Sequence, residues 1–216
     1  MKDLWALSLR GSSKGFVAAC ATLVRHFVHN QVASTPQAFA YNGMMKILET
    51  RRLILRPIVK EDAPVYWRFF SDPETMRFYP STRSLKETEQ FVQRQLERYQ
   101  QDGYGPWAIV LKSNEEMIGY CGLIHQIVDS VDEMEIGYLV SREHWRHGYA
   151  TEAAIGSRDY AFNKLKTQRL ISLIDPLNVA SIAVATKVGM TLEKQTTWQG
   201  KKLNVYSMTR PSAKKN

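Results

Sequence analysis

The chain has 216 residues, of which 44% are hydrophobic and 23% charged; this suits one substantial core and is short for two full domains. An excess of 29 basic over 21 acidic residues favours anionic ligands, but the basic residues are spread along the chain and form no block typical of nucleic-acid binding. The two cysteines have neither metal nor disulfide spacing, and no apolar run approaches the roughly 18 residues of a membrane span, so we expect a cytoplasmic protein without a membrane partner.

Residues 1–45 differ in texture from the rest of the chain. The first 43 residues have no sustained hydrophobic period and hold a single acidic residue. Met44 and Met45 stand just before the first strong strand pattern, so a chain that started at either would still contain a complete domain. We predict an N-terminal extension over 1–45, disordered or the product of a misassigned start, a domain over 46–210 and a tail over 211–216. A transit peptide is the alternative reading of the extension.

The domain opens with a strand and two helices. A hydrophobic run predicts a strand at 53–58, and a helical stretch follows at 60–70. The sequence Ser84-Leu85-Lys86-Glu87 has the form of a capping box and predicts a second helix over 85–101. The buried face of this helix is predicted to contain Leu85, Val92, Leu96 and Tyr99.

A meander and an alternating segment complete the domain. Strand-like runs at 107–111, 117–127 and 134–140 predict an antiparallel meander, with turns at 112–116 and 129–132. The later elements are predicted as a helix at 150–165, a strand at 169–174, a helix at 178–188 and strands at 191–197 and 203–209. This order predicts an α/β (α+β) fold in which a mixed sheet of about seven strands carries helices on both faces.

The main chemical signal lies between Glu133 and Ala153, where a strand, a short turn and a helix follow one another. The first N–H groups of a helix lack internal partners, and the helix dipole adds positive potential, so such a junction suits a phosphate or pyrophosphate. Gly148 lets an anion approach the backbone, and Arg142, Arg146 and His147 surround the turn. A tight, well-packed turn needs the same residue types, so this run alone leaves a purely structural role open.

The run Trp145-Arg146-His147-Gly148-Tyr149-Ala150 resembles motif A of the GNAT superfamily of N-acetyltransferases, R/Q-x-x-G-x-G/A, with Trp145 at the first position. This variant looks like that of the RimJ/RimL-like branch. The run at 49–57, Asn178-Val179-Ala180-Ser181 and Lys187-Val188-Gly189-Met190 are similar to further segments of the branch, in the same order. The resemblance covers 46–210 and implies a twisted, largely antiparallel mixed sheet. Its fourth and fifth strands would splay apart to admit the pantetheine arm of acetyl-CoA.

The resemblance also implies a metal-free transfer of an acetyl group from acetyl-CoA to a primary amine. Cofactor contacts are implied for Tyr138, Leu139, Val140, Arg142, Trp145, Arg146, His147, Gly148, Tyr149, Ala150, Thr151, Asn178 and Ser181. An alkyl ammonium titrates near 10 and only the neutral amine attacks, so a carboxylate base is expected. Glu135 is the first candidate and Glu133 the second, with ordinary strand acids as the alternative. A main-chain N–H near Tyr138 or Leu139 is the candidate donor to the oxyanion.

One position departs from the family. Many members use a tyrosine seven residues after the motif asparagine as general acid, and here that residue is Ala185. Ser181 is then the candidate to hydrogen-bond the thiolate or a nearby water, while Asn178 holds the pantetheine, caps the following helix, or does both.

The acceptor amine is expected against residues 60–101 and the late strands. Tyr79, Tyr104 and Trp107 are candidates to shape this pocket or to pack in the core. A protein N-terminus, a small amine and an antibiotic all remain open as acceptors, as do a monomer and a homodimer.

Two rival functions stay open from the sequence. The missing tyrosine admits a catalytically silent CoA-binding or sensor domain, which would bind cofactor without turnover. The net charge admits an RNA- or ribosome-associated protein, although no basic cluster favours nucleic acid as a partner. A dinucleotide-binding enzyme is disfavoured because the glycine pattern is incomplete and comes after a meander.

Overall fold

The computed structural model describes residues 39–41, for which only the backbone is considered, and 44–211. Most of the predicted extension over 1–45, including Cys20, lies outside the described residues, as does the predicted tail apart from Pro211. The domain boundaries therefore stay predictions. Within the described part, none of the helices is long and apolar enough to cross a membrane.

From β4 onward the elements follow the predicted order, and three short strands that were not predicted precede it. The strands are β1 (Phe39–Tyr41), β2 (Met44–Lys46), β3 (Leu48–Glu49), β4 (Leu53–Pro57), β5 (Pro106–Leu111), β6 (Met117–Val128), β7 (Val131–Val140), β8 (Arg169–Ile174), β9 (Thr191–Trp198) and β10 (Lys201–Thr209). The α-helices are α1 (Ala63–Phe70), α2 (Leu85–Asp102), α3 (Tyr149–Asn163) and α4 (Val179–Val188). Short 3-10 turns at Lys60–Asp62 and Arg142–His144 precede α1 and α3.

Eight of these strands form one sheet in the order β3-β4-β5-β6-β7-β8-β10-β9, and β1 pairs with β2 separately. Every neighbouring pair in the eight-stranded sheet is antiparallel except β7 and β8, which run parallel. The prediction of a mixed, largely antiparallel sheet is confirmed.

Helices cover both faces of the sheet. Side chains alternate between the two faces along each strand, so neighbouring residues belong to different cores. On β4 and β5, Leu53 and Ile109 belong to the core beneath α3 and α4, whereas Ile54 and Val110 belong to the core beneath α1 and α2. A third, smaller core of Val128, Ile171 and Val205 packs the tip of the β6–β7 hairpin against the late strands. Helices on both faces are thus confirmed.

Two local predictions were wrong in detail. Leu85 was expected on the buried face of α2 but is 42% exposed, and the buried positions are Thr88, Phe91, Val92 and Gln95. Leu85 is the first helical residue, next to the Ser84 cap, so it projects beyond the edge of the core. The turn predicted over four residues, 129–132, contains only Asp129 and Ser130. Both residues adopt positive φ, the conformation of a two-residue hairpin turn, so β7 begins at Val131.

Candidate functional site

The site centres on the gap between the parallel strands β7 and β8. Their ladder contains a single registered pair, Glu135 with Ile171. Beyond it, side chains take over the bonding: Ser172 Oγ donates to the Ile136 carbonyl at 2.8 Å, and the Leu173 N–H donates to Glu135 Oε1 at 3.3 Å. The strands part between 134–140 and 170–174, which correspond to the fourth and fifth strands that the family resemblance implied would splay apart.

The register of β7 against β6 decides which main-chain groups face this gap. The Ser141 N–H donates to the Ile118 carbonyl at 2.8 Å, and the same register continues through Leu139 paired with Tyr120. Peptide groups of successive residues in an antiparallel strand point to opposite sides, so those of Leu139 face β6 and those of Tyr138 and Val140 face the gap. Tyr138 and Val140 therefore present the cleft-facing N–H groups and are the candidate donors to the oxyanion, whereas the main chain of Leu139 is paired with β6.

Glu135 occupies the point where the strands part. Its carboxylate accepts from Gln126 Nε2 at 2.8 Å as well as from the Leu173 N–H. The side chain is half-buried on the face covered by α1 and α2, and desolvation raises its pKa against the lowering effect of the two hydrogen bonds and of Arg98. A carboxyl whose pKa is raised in a cleft is suited to accept a proton.

Glu133, the second candidate base, has different partners. Arg169 Nε contacts both of its carboxylate oxygens at 3.1 Å, and the same arginine reaches Glu193 at 2.7 Å. The ion pair with Arg169 therefore occupies the Glu133 carboxylate. Of the two candidates, it is Glu135 that is paired in the β7–β8 ladder, at the point where the ladder ends.

The turn between β7 and α3 is the predicted anion cradle. Gly148 is the N-cap of α3 at φ 77° and provides no side-chain cap, so the N–H groups of Tyr149, Ala150 and Thr151 begin the helix without an intrahelical acceptor. Arg146 also has positive φ, at 65°. Arg142, Arg146 and His147 are exposed around it.

Trp145 stands at the position where the family motif usually has Arg or Gln, and it turns inward. Its Nε1 donates to the Val140 carbonyl at 2.8 Å, which satisfies the last cleft-facing oxygen of β7. The Arg77 guanidinium lies 5.6 Å from the centroid of its ring. Trp145 thus fixes the start of the cradle turn against the end of β7 and does not offer a side chain to an anion.

Helix α4 closes the other side of the gap. Asn178 caps it by accepting from the Ser181 N–H at 3.1 Å, and Tyr138 donates its hydroxyl hydrogen to the Ser181 carbonyl at 2.8 Å. Ala185, at the usual tyrosine position, is 1% exposed. The structure thus brings Asn178, Ser181 and Tyr138 together beside the gap.

The expected acceptor residues separate. Tyr79 lies on the Glu135 face, where its hydroxyl is 3.3 Å from that of Tyr120, and the negative charge of Glu135 contributes to raising its pKa after the larger effect of desolvation. Trp107 is buried on the opposite face with its ring edge-on to Tyr160, and Tyr104 packs against the same core. For Trp107 and Tyr104 the observed role is packing.

Sequence reasoning missed the residues that support the site from a distance. Arg52 and Thr50 both bind Glu152 in the first turn of α3, and Gln126 binds Glu135. These partners are separated by 9 to 102 positions in sequence, so no local spacing could have paired them. Among the described residues no group of three or more His, Cys, Asp or Glu side chains is arranged to hold a metal, and the metal-free reaction stays a prediction.

Comparison with known proteins is consistent across sequence and structure. The family model described as an acetyltransferase (GNAT) domain matches residues 52–191. The Bacillus subtilis (strain 168) protein YkkB is 36% identical over 160 residues, covering 74% of this chain and 93% of the relative. The N-acetyltransferase YoaA of the same organism is 32% identical over 176 residues, covering 78% and 99%.

Solved structures show the same fold. An acetyltransferase from Agrobacterium tumefaciens str. C58 superposes with a TM-score of 0.68 at 31% identity, covering 81% of this chain and 99% of the other. The aminoglycoside acetyltransferase AAC(6')-Ib, solved with coenzyme A, superposes with a TM-score of 0.63 at 16% identity, covering 73% and 95%, a likeness of fold alone.

Proposed function

Since this chain belongs to the GNAT family of acetyltransferases, we propose that it transfers the acetyl group of acetyl-CoA to a primary amine with Glu135 as the base. The observation that carries the proposal is the position of the Glu135 carboxylate, where the β7–β8 ladder ends, on the strand that leads into the α3 cradle. The coenzyme A bound to the structural neighbour AAC(6')-Ib supports the choice of donor.

The cradle receives the pyrophosphate of acetyl-CoA. The N–H groups of Tyr149, Ala150 and Thr151 donate to its oxygens, and Arg142, Arg146 and His147 add positive potential around it. Gly148 leaves space for the anion because it has no side chain. The pantetheine arm then runs into the β7–β8 gap, where the main-chain groups of Tyr138 and Val140 and the side chain of Asn178 are its nearest polar groups.

On the way from ammonium to amide the nitrogen loses two protons, and the departing sulfur gains one. Glu135, directly or through a water, takes a proton from the ammonium, and the neutral nitrogen attacks the thioester carbonyl carbon. The N–H of Tyr138 or Val140 donates to the oxyanion. The nitrogen, positively charged after the attack, gives up its second proton to solvent as the carbon–sulfur bond breaks, and the acetyl group stays on nitrogen as an amide. The CoA sulfur leaves as the thiolate, beside the Ser181 hydroxyl or a water, and is protonated from solvent. A thiol with a reference pKa near 8.5 is a tolerable leaving group.

The acceptor is a primary amine of a protein N-terminus or of a small molecule such as an antibiotic, and it approaches from the α1–α2 side. This side carries the half-buried Tyr79 and the loop that ends at Ser84. Lys201 Nζ donates to the Phe78 carbonyl at 2.8 Å, so the start of β10 borders the same approach. We also propose a cytoplasmic location, which suits the free, buried Cys121.

Calorimetric titration of acetyl-CoA, followed by thiol-release assays with N-terminal peptides, polyamines and aminoglycosides, tests the proposal. Gly148→Glu places bulk and negative charge in the cradle and should abolish the micromolar-range binding expected of the wild type. Gly200→Glu is the matched control, because Gly200 has nearly the same φ of 79° with open space around it, in the β9–β10 turn. Binding without turnover of any amine would favour a silent CoA-binding domain, and no binding by folded wild type would sink the proposal.

A further inference from the structure

The Arg52 side chain lies against the mouth of the α3 cradle, far from it in sequence. The Arg52 guanidinium carbon is 4.5 Å from the centroid of the Tyr149 ring, and His147 stacks on the same ring at 5.6 Å with an interplanar angle of 12°. A Cβ placed on Gly148 would lie 3.5 Å from Arg52 Nη2. A guanidinium nitrogen therefore stands beside the N-cap of α3, where an anion would approach the helix.

Arg52 is held in this place by Glu152. The Arg52 Nε donates to Glu152 Oε2 at 2.7 Å. The other carboxylate oxygen, Oε1, accepts from the main-chain N–H of Arg52 at 2.7 Å and from Thr50 Oγ1 at 2.6 Å. Although desolvation raises the pKa of Glu152, these bonds outweigh it and lower the pKa, so the carboxylate stays ionised in the first helical turn. A fixed carboxylate on Nε orients the planar guanidinium and leaves its outer edge directed elsewhere.

That outer edge is available. Among the described residues, Nη1 and Nη2 of Arg52 have no hydrogen-bond partner, and the side chain is 35% exposed. A guanidinium edge with two free Nη groups matches phosphate oxygens in geometry and charge. By contrast Arg158, on the same helix as Glu152, uses Nε and Nη2 on Asp159 and Nη1 on the Val188 carbonyl.

We infer that Arg52 is a further cofactor-binding residue, whose outer guanidinium edge donates to the pyrophosphate of acetyl-CoA beside the N-cap of α3. Glu152 acts through Arg52 as a positioning residue. The inference rests on the proposed function, since it assigns a new ligand to the same cofactor site. Positioning Arg52 accounts for the acidic residue Glu152 in the first turn of α3, where an isolated acid would repel the bound anion.

The test compares Arg52→Gln with Arg51→Gln, which removes the same charge from the neighbouring, exposed arginine. Titration with acetyl-CoA should show affinity roughly 10- to 100-fold weaker for Arg52→Gln, as expected for loss of a charged hydrogen bond, and within about twofold of wild type for Arg51→Gln. Arg52→Lys, which keeps the charge and a donor for Glu152, should lie between them and guards against misfolding of the glutamine variant.

Two further readouts separate a phosphate contact from a structural role. Acetyl-dephospho-CoA, which lacks only the 3′-phosphate, should lose affinity by the same factor in Arg52→Gln. In ³¹P spectra of bound acetyl-CoA, wild type and Arg52→Lys should differ in the diphosphate resonances and share the 3′-phosphate resonance. Equal affinity of Arg52→Gln and wild type, a loss confined to acetyl-CoA, or unchanged diphosphate resonances would each overturn the inference. Failure of the wild type to bind at all would instead remove the proposed function.

Discussion

Tyr138 on β7 donates its hydroxyl hydrogen to the main-chain carbonyl of Ser181 on α4, with 2.8 Å between the oxygens. The bond ties the first turn of the helix to the strand across the gap where β7 and β8 part. Desolvation raises the pKa of the phenol far above its ordinary value, so the hydroxyl stays protonated through the pH range of any assay. Ala185 stands where the family usually has the tyrosine that acts as general acid. The Tyr138 hydroxyl also lies beside α4, but its hydrogen is already donated to Ser181 and is not free for that role.

Tyr138→Phe should therefore change turnover modestly. Losing the bond to Ser181 loosens α4, so we expect kcat to fall less than about tenfold, since general acid catalysis would contribute at least about a hundredfold. The basic limb of the pH–rate profile should stay where it is in wild type. A hundredfold loss of kcat, with the basic limb displaced, would identify Tyr138 as the proton donor to the thiolate.

Glu135→Gln should reduce kcat by about 10²- to 10⁴-fold, the usual contribution of a general base, while leaving the calorimetric affinity for acetyl-CoA nearly unchanged. In wild type, the acid limb of kcat/KM should lie above the ordinary glutamate pKa of about 4.3, because burial raises the pKa of Glu135. This limb should disappear in the variant. Glu133→Gln, which breaks the Arg169 pair, is the matched control and should keep the limb. Unchanged rates in Glu135→Gln would move the base elsewhere.

The same substitution should stabilise the fold at neutral pH. A carboxyl with a raised folded pKa favours the native state when protonated, so its stabilising contribution is complete below the unfolded value near 4.3 and is lost as pH rises through the folded pKa. Glutamine carries no charge and avoids this loss. Urea unfolding at about pH 4 and about pH 7.5 should show an advantage of Glu135→Gln that is small at the lower pH and larger at the higher one. An advantage that shrinks with rising pH would contradict the assigned shift.

The buried pair of Arg56 and Asp62 should govern the stability of the first helix. Arg56 Nη1 and Nη2 each reach an Asp62 oxygen at 2.7 Å, and Asp62 also accepts from the Val59 N–H at 2.9 Å. Asp62→Asn leaves a buried guanidinium without its counter-charge and should lower the free energy of unfolding by about 3–5 kcal/mol. Glu74→Gln, which breaks the exposed pair with Arg77, should change it by less than about 1 kcal/mol. Similar losses in the two variants would show that burial of the pair is not the source of the effect.

Trp145→Phe should weaken cofactor binding through the main chain of β7. Removing Nε1 leaves the Val140 carbonyl unpaired at the start of the cradle turn, and we expect about 1 kcal/mol of lost stability with a several-fold rise in the acetyl-CoA dissociation constant. Trp198→Phe removes an equivalent indole donor, 3.2 Å from the Ile127 carbonyl on the β6–β7 hairpin, and should leave that constant unchanged. Equal effects of the two substitutions on acetyl-CoA affinity, measured by calorimetry, would contradict a specific role for Trp145.

Much of the fold could be predicted from local pattern. The runs at 53–58 and 107–111 predicted strands that the structure has at Leu53–Pro57 and Pro106–Leu111, and the capping box at Ser84 and Glu87 predicted the first residue of α2. The turn at Gly148 could be predicted because a glycine between a strand and a helix favours a tight turn and lets an anion approach the backbone, and Gly148 does adopt positive φ. The misplaced face of α2 shows the limit, since periodicity identifies a stripe of residues but not where the core ends.

The sequence by itself determined the order of elements from β4 onward and the family, and it located the turn predicted as the cradle, because each of these follows from short local runs and motifs that occur in a fixed order. Tertiary structure decided which groups act together. The parting of β7 from β8 exposes the main chain of Tyr138 and Val140 and leaves that of Leu139 paired, a distinction set by strand register. Arg52 reaches the cradle through Glu152, 100 residues away, because strand pairing and helix packing bring them together. Contacts of that range arise from burial of the whole sheet, which no local spacing encodes.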